Sequence, residues 1–132
     1  MKSYFVVTGI VKFKTKVLIL KKSNKDHNYP NRWSFCSGYV KEFESAEDSV
    51  LREIEEEIGL KAKIVKKGKL LQVVDKSRKR IWQVMPFLCK INSNKIKLDH
   101  ENIDFRWIDY NDISKYRTVP GLEKDLKVLG LI

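Results

Sequence analysis

The densest chemistry in the chain lies in Arg52-Glu53-Ile54-Glu55-Glu56-Glu57. Residues three and four apart share a face of a helix. At about 100° per residue, Glu53, Glu56 and Glu57 fall within one arc, with Val50, Leu51, Ile54 and Ile58 on the neighbouring arc. One helix can therefore offer an apolar stripe to a core and, beside it, three carboxylates aimed at one point. Two unit charges about 4 Å apart repel by roughly 4 kcal/mol at an effective dielectric near 20. Such a cluster persists only if it is solvated, protonated, paired with cations or filled by a metal. Oxygen-only donors suit a hard divalent ion, Mg2+ or Mn2+. A glutamate run by itself is more often a solvated helix face, so the residues around it decide.

Those residues hold a fixed frame. Gly38, then Glu44, then Arg52-Glu53-Ile54-x-Glu56-Glu57-x-Gly59-Leu60 reads Gly-x5-Glu-x7-Arg-Glu-U-x-Glu-Glu-x-Gly-U, with U aliphatic. Every specified position of the Nudix box is met, and the chain resembles the Nudix hydrolase family over residues 38–60, with weaker likeness through most of the rest. There are departures. Phe35-Cys36-Ser37 stands where Leu-Pro-Gly is common, and Lys41 where a further glutamate is common.

The resemblance implies an α/β fold: one Nudix domain over 1–132, an α/β/α sandwich with a mixed β-sheet and the box as loop–helix–loop. It implies hydrolysis of a nucleoside diphosphate linked to a group X, giving a nucleotide and phosphorylated X, with Mg2+ or Mn2+ as cofactor. Carried onto this chain, the metal set is Glu53, Glu56, Glu57 and the carbonyl of Gly38. The catalytic set is Arg52, Glu53, Glu56 and Glu101. Arg52 holds the acids in place, and either Glu53 or Glu101 accepts the proton. Glu101 enters because Leu98-Asp99-His100-Glu101 followed by Arg106-Trp107 resembles a loop acid set beside the site, most like that of dinucleoside polyphosphate hydrolases. Lys21, Lys22 and Trp33 are the candidate substrate contacts.

The elements that must position these residues can be read locally. Ser45 is a good N-cap, acids in the first turn suit the helix dipole, and Gly59 can end the helix. Residues 4–11 and 17–20 are β-branched and aromatic runs expected to form a hairpin. Residues 23–32 are a polar loop, and 61–67 a connection or edge strand. Residues 69–75 and 80–91 read as strands around a basic turn, Lys76-Ser77-Arg78-Lys79. Pro86 inside the second run points to a bulge or an edge position. A short helix is expected near 110–116 and another from Gly121, with Leu122, Leu126 and Leu129 as its stripe. This makes five to seven strands and two main helices. His27, His100 and Trp107 are expected to be bystanders or core.

At 132 residues the chain suits one domain. No apolar run approaches the ~18 residues of a membrane span, and the first ten residues read as a strand rather than a secretory leader. Cys36 and Cys89 lack metal spacing and are expected as free thiols in a reducing cytoplasm. The net charge is +10, unevenly spread: residues 38–60 hold eight acids and two bases (−6), the remainder nine acids and 25 bases (+16). An acidic site in a basic body suits a polyanionic small-molecule substrate. No stretch carries a recognisable nucleic-acid motif. The alternative that the frame leaves open is an inactive Nudix-fold binding protein that uses its basic surface on RNA or nucleotides. An isopentenyl diphosphate isomerase-like enzyme would need a further catalytic cysteine and a longer chain. Family members are often dimers, and the sequence leaves a homodimer open.

Overall fold

A computed structural model describes all of Met1–Ile132. The elements in order are β1 (Lys2–Phe13), β2 (Lys16–Lys22), β3 (Trp33–Ser34), β4 (Cys36–Tyr39), α1 (Ala46–Ile58), β5 (Lys63–Lys67), β6 (Leu71–Asp75), β7 (Arg80–Lys90) and β8 (Asn102–Ile108). A 3-10 helix (Tyr110–Lys115) and α2 (Leu122–Val128) close the chain. The eight strands exceed the five to seven expected, because two- and four-residue strands such as β3 and β4 carry no readable period. No helix is long and apolar enough to cross a membrane.

The sheet is mixed. β1 and β7 run parallel at its centre, from Lys2 opposite Arg80 to Lys12 opposite Lys90, and every other pairing is antiparallel. The outer edges of both central strands are shared. β1 pairs β2 only at Lys12 and Phe13, then turns its edge to β4 from Val6 to Gly9. β7 pairs β5 over Phe87–Lys90 and β6 over Arg80–Val84.

That division corrects the expectation for Pro86, which lies in a central strand. Its carbonyl accepts from the Gly68 amide at 2.8 Å, so its backbone polar side faces the gap where β5 has ended and β6 has not begun. A strand proline is tolerated where no ladder bond needs its missing N–H.

Both faces of the sheet are covered, so the central strands are apolar throughout rather than alternating. Val7, Val11, Leu18, Leu20, Phe87 and Cys89 pack against Val50, Ile54 and Ile58 of α1. Ile10, Val17, Ile19 and Leu88 face Leu122, Leu126 and Leu129 at the other side. This is the α/β/α sandwich expected. Gly9 lets α1 approach closely, since a Cβ there would lie 2.9 Å from both Ile54 and Val50 side chains. α1 starts at Ser45, whose side chain accepts from the Asp48 amide, and stops at Gly59 in the left-handed region at φ 73°. Both ends follow the local capping rules.

Candidate active site

α1 carries the acids, and the chain around it decides what each one meets. Glu57 sits one turn after Glu53, next to the core stripe, and is buried at 4% exposure. Its Oε2 accepts from the Ser37 amide at 3.1 Å. Burial pushes its carboxyl well above the usual carboxylate range; Glu53 and Asp99 push the same way, while Lys22 and the Ser37 amide pull back. Burial also raises Glu53, against the pull of Arg52 and with the push of Glu56 and Glu101. Charged forms are penalised wherever water is removed. Glu56 stays exposed.

Arg52 is the hub. Its Nε donates to Glu44 Oε2 at 2.7 Å and its Nη2 to Glu44 Oε1 at 2.9 Å, a bidentate fork. Nη1 donates to Glu53 at 2.8 Å and to Glu56 at 3.2 Å. Glu44 is held down to about 2, chiefly by the guanidinium bonds. A planar guanidinium can serve several carboxylates at fixed angles, which a lysine cannot. The partnership with Glu44 is absent from a local reading because the two residues are eight apart and Glu44 precedes the helix.

Gly38 lies on β4 directly under Glu53. A Cβ there would sit 2.1 Å from the Glu53 Cδ. The glycine is required by close approach, not by an unusual dihedral, since its φ is not among the positive ones. The Glu101 loop is placed by the end of α1. The amides of Lys97 and Asp99 bond the carbonyls of Ile58 and Glu57 at 3.0 and 3.1 Å, satisfying groups that a helix C-terminus leaves free. Glu101 and Asp99 then line the same cavity as Glu53, Glu56 and Glu57.

That cavity has a volume of about 1040 Å³. Loop 23–32 borders it and is pinned from both sides. The Ser23 amide donates to the Glu101 carbonyl at 2.9 Å. Tyr29 O–H donates to Asp75 at 2.7 Å and accepts from Trp82 Nε1 at 3.0 Å, and Arg78 Nε donates to the Asn28 carbonyl at 2.9 Å. The basic turn thus grips the loop with Arg78. Both histidines, expected as bystanders, line the cavity.

The structure separates the candidate substrate contacts. Lys22 lines the cavity and acts on Glu57; Lys21 does not line it. Successive strand residues point to opposite faces, so one of two adjacent lysines must turn away. Trp33 is likewise removed from the cavity. Its indole is 8% exposed, packs edge-on to Tyr116 at 5.6 Å and lies under the Arg106 guanidinium at 5.3 Å. That is a core position on the α2 side, which corrects the expectation of substrate contact. Trp107 is half-buried beside Phe13, as expected for core.

The carboxylates share an arc but do not converge. No three acidic, imidazole or thiol groups already stand together at ligating spacing, because Arg52 draws Glu53 and Glu56 one way while Ser37 holds Glu57. The donor set nonetheless fits a hard divalent ion. It is all oxygen, one member is buried, and the missing Cβ of Gly38 lets the Glu53 carboxyl lie against the β4 backbone.

An α/β/α sandwich thus sets three acids of α1, one of them buried, on the lining of a large cavity inside a basic body. The sequence profile of the NUDIX domain matches residues 3–127. The chain belongs to the Nudix family and is a hydrolase of phosphoric anhydride bonds. It is 24% identical over 141 aligned residues to the nucleoside triphosphatase NudI of Escherichia fergusonii, with 100% of both chains covered. In structure it is similar to a MutT NUDIX hydrolase from Burkholderia pseudomallei (TM-score 0.83, 18% identity, 96% of this chain and 98% of that one). It is similar also to an Ap4A hydrolase of C. elegans (TM-score 0.76, 20% identity, 96% and 95%). At these identities the structural likenesses carry the fold.

Proposed function

We propose that the chain is a Mg2+- or Mn2+-dependent pyrophosphohydrolase that cleaves a nucleoside diphosphate linked to a group X, with nucleoside triphosphates as its leading substrate class. The observation that carries this reading is Glu57: a carboxyl buried at 4% exposure that lines one cavity together with Glu53, Glu56 and Lys22. A cation or a proton must offset that charge. Glu53, Glu56, Glu57 and the Gly38 carbonyl would hold the metal, which when bound neutralises diphosphate charge and acidifies water. Arg52 keeps Glu53 and Glu56 oriented, and Lys22 is placed to meet a phosphate oxygen. Glu53 and Glu101, both on the cavity lining, are the two candidate proton acceptors. The full-length match to a nucleoside triphosphatase and the likeness to an Ap4A hydrolase guide the choice of substrates. Two buried, free cysteines support a reducing, cytoplasmic setting.

The test is a panel of nucleoside triphosphates, dinucleoside polyphosphates and nucleotide sugars, with Mg2+ and Mn2+, reading released products. Glu57→Gln and Glu56→Gln should drop metal-dependent turnover to background while the circular dichroism spectrum stays unchanged. Wild-type turnover in either variant would falsify the assignment.

A further inference from the structure

The phosphate end does not use the whole cavity, and its apolar part contains a second polar centre. Asp125 of α2 lines the cavity and is 3% exposed. No hydrogen bond reaches its side chain, and its Oδ1 is buried without a partner. Burial pushes this carboxyl up to about 7, and no neighbouring charge contributes, so it stands apart from the α1 acids. Only one other buried side-chain atom lacks a partner: Oδ1 of Asn28, on the loop that borders the same cavity. Buried polar groups in native proteins are bonded with few exceptions. Here both exceptions are acceptors and both line one volume. The same cavity also has apolar lining. Trp82 lines the cavity with Val84 and Val73, its ring 5.2 Å from that of Tyr4 at a 32° tilt.

We propose that this end of the cavity is a base-reading subsite, in which the side-chain oxygens of Asp125 and Asn28 accept hydrogen bonds from a nucleobase bearing an amino group. This rests on the reading that the α1 acids handle the substrate's phosphates. Above about pH 7, where Asp125 is ionised, the two orphaned oxygens only accept and need two donors. An exocyclic amino group supplies both, as in adenine and cytosine, and guanine adds a ring N–H. Uracil and thymine carry one N–H and leave one acceptor unpaired, and sites reject ligands that strand a buried polar group. Asp125 is then a specificity-determining residue, distant from the bond that breaks.

The experiment compares ATP, CTP, GTP and UTP at pH 8 on wild type, Asp125→Asn and Asp125→Leu, with inorganic tripolyphosphate as a base-free competitive inhibitor. Wild type should show KM values for ATP, CTP and GTP about tenfold below that of UTP, the effect of about one hydrogen bond. Asp125→Leu should bring the four together, with kcat within about threefold and tripolyphosphate inhibition unchanged; Asp125→Asn, which keeps an acceptor, should fall between. Equal KM values for all four bases in wild type overturn the proposal. So does a shift in tripolyphosphate inhibition as large as that in KM. If wild type hydrolyses none of the four, the proposed substrate class has failed, and calorimetric titration with the free nucleosides tests the subsite by itself. Binding of adenosine, cytidine and guanosine that Asp125→Leu abolishes supports it, and no nucleoside binding overturns it. Circular dichroism of both variants separates these results from loss of fold.

Discussion

Asp125→Asn should make the protein more stable, by an amount that depends on pH. An aspartate carboxyl ordinarily titrates near 3.8, and burial on α2 moves Asp125 up to about 7. The folded-state value is raised, so the fold opposes ionisation. Below about pH 4 both folded and unfolded chains hold the proton, and the group is silent. Between pH 4 and 7 the unfolded chain releases its proton and the folded chain does not, so stability falls by about 1.4 kcal/mol per pH unit from this group. Over about three units the loss reaches about 4 kcal/mol and is complete above pH 7. Domains of this size have only about 5–15 kcal/mol in total. Asparagine has no proton to lose. Urea unfolding of both proteins, followed by tryptophan fluorescence at intervals from pH 4 to 8, should show a gap that widens steadily and then levels. Any effect of the amide itself is a constant offset and cancels in the slope. A gap that stays the same at every pH would mean that Asp125 ionises in the fold as it does in water. The argument for an unpartnered buried acid would then be wrong.

Substitutions at three further positions test the site. Arg52→Ala releases Glu44, Glu53 and Glu56, and kcat should fall about 100-fold, as expected when reacting groups drift by an ångström; Arg52→Lys should recover little, since an ammonium cannot span three carboxylates. Gly38→Ala puts a methyl 2.1 Å from the Glu53 carboxyl carbon, so kcat should drop sharply in a protein whose circular dichroism is unaltered; a fully active variant would show that Glu53 has room to move. Tyr29→Phe removes bonds of 2.7 Å to Asp75 and 3.0 Å from Trp82. It should cost about 1–3 kcal/mol in urea unfolding and raise KM more than it lowers kcat, because the loop bordering the cavity loses its anchor.

The sequence by itself determined what depends on near neighbours. Ser45 and Gly59 bound α1, its apolar stripe at Val50, Ile54 and Ile58 is fully buried, and Glu53, Glu56 and Glu57 lie on the adjoining arc. Helical geometry sets all of this within a few turns. Only the tertiary structure decided which acid is buried, which of two adjacent lysines faces it, and that Trp33 belongs to the core. It decided also that Arg52 grips Glu44, and that Asp125 ends without a partner on the same cavity as Asn28, almost a hundred positions earlier in the chain. These outcomes follow from the pairing of strands far apart in sequence, above all β1 with β7. Periodicity says which face of an element a side chain occupies, but not what the fold brings to meet it.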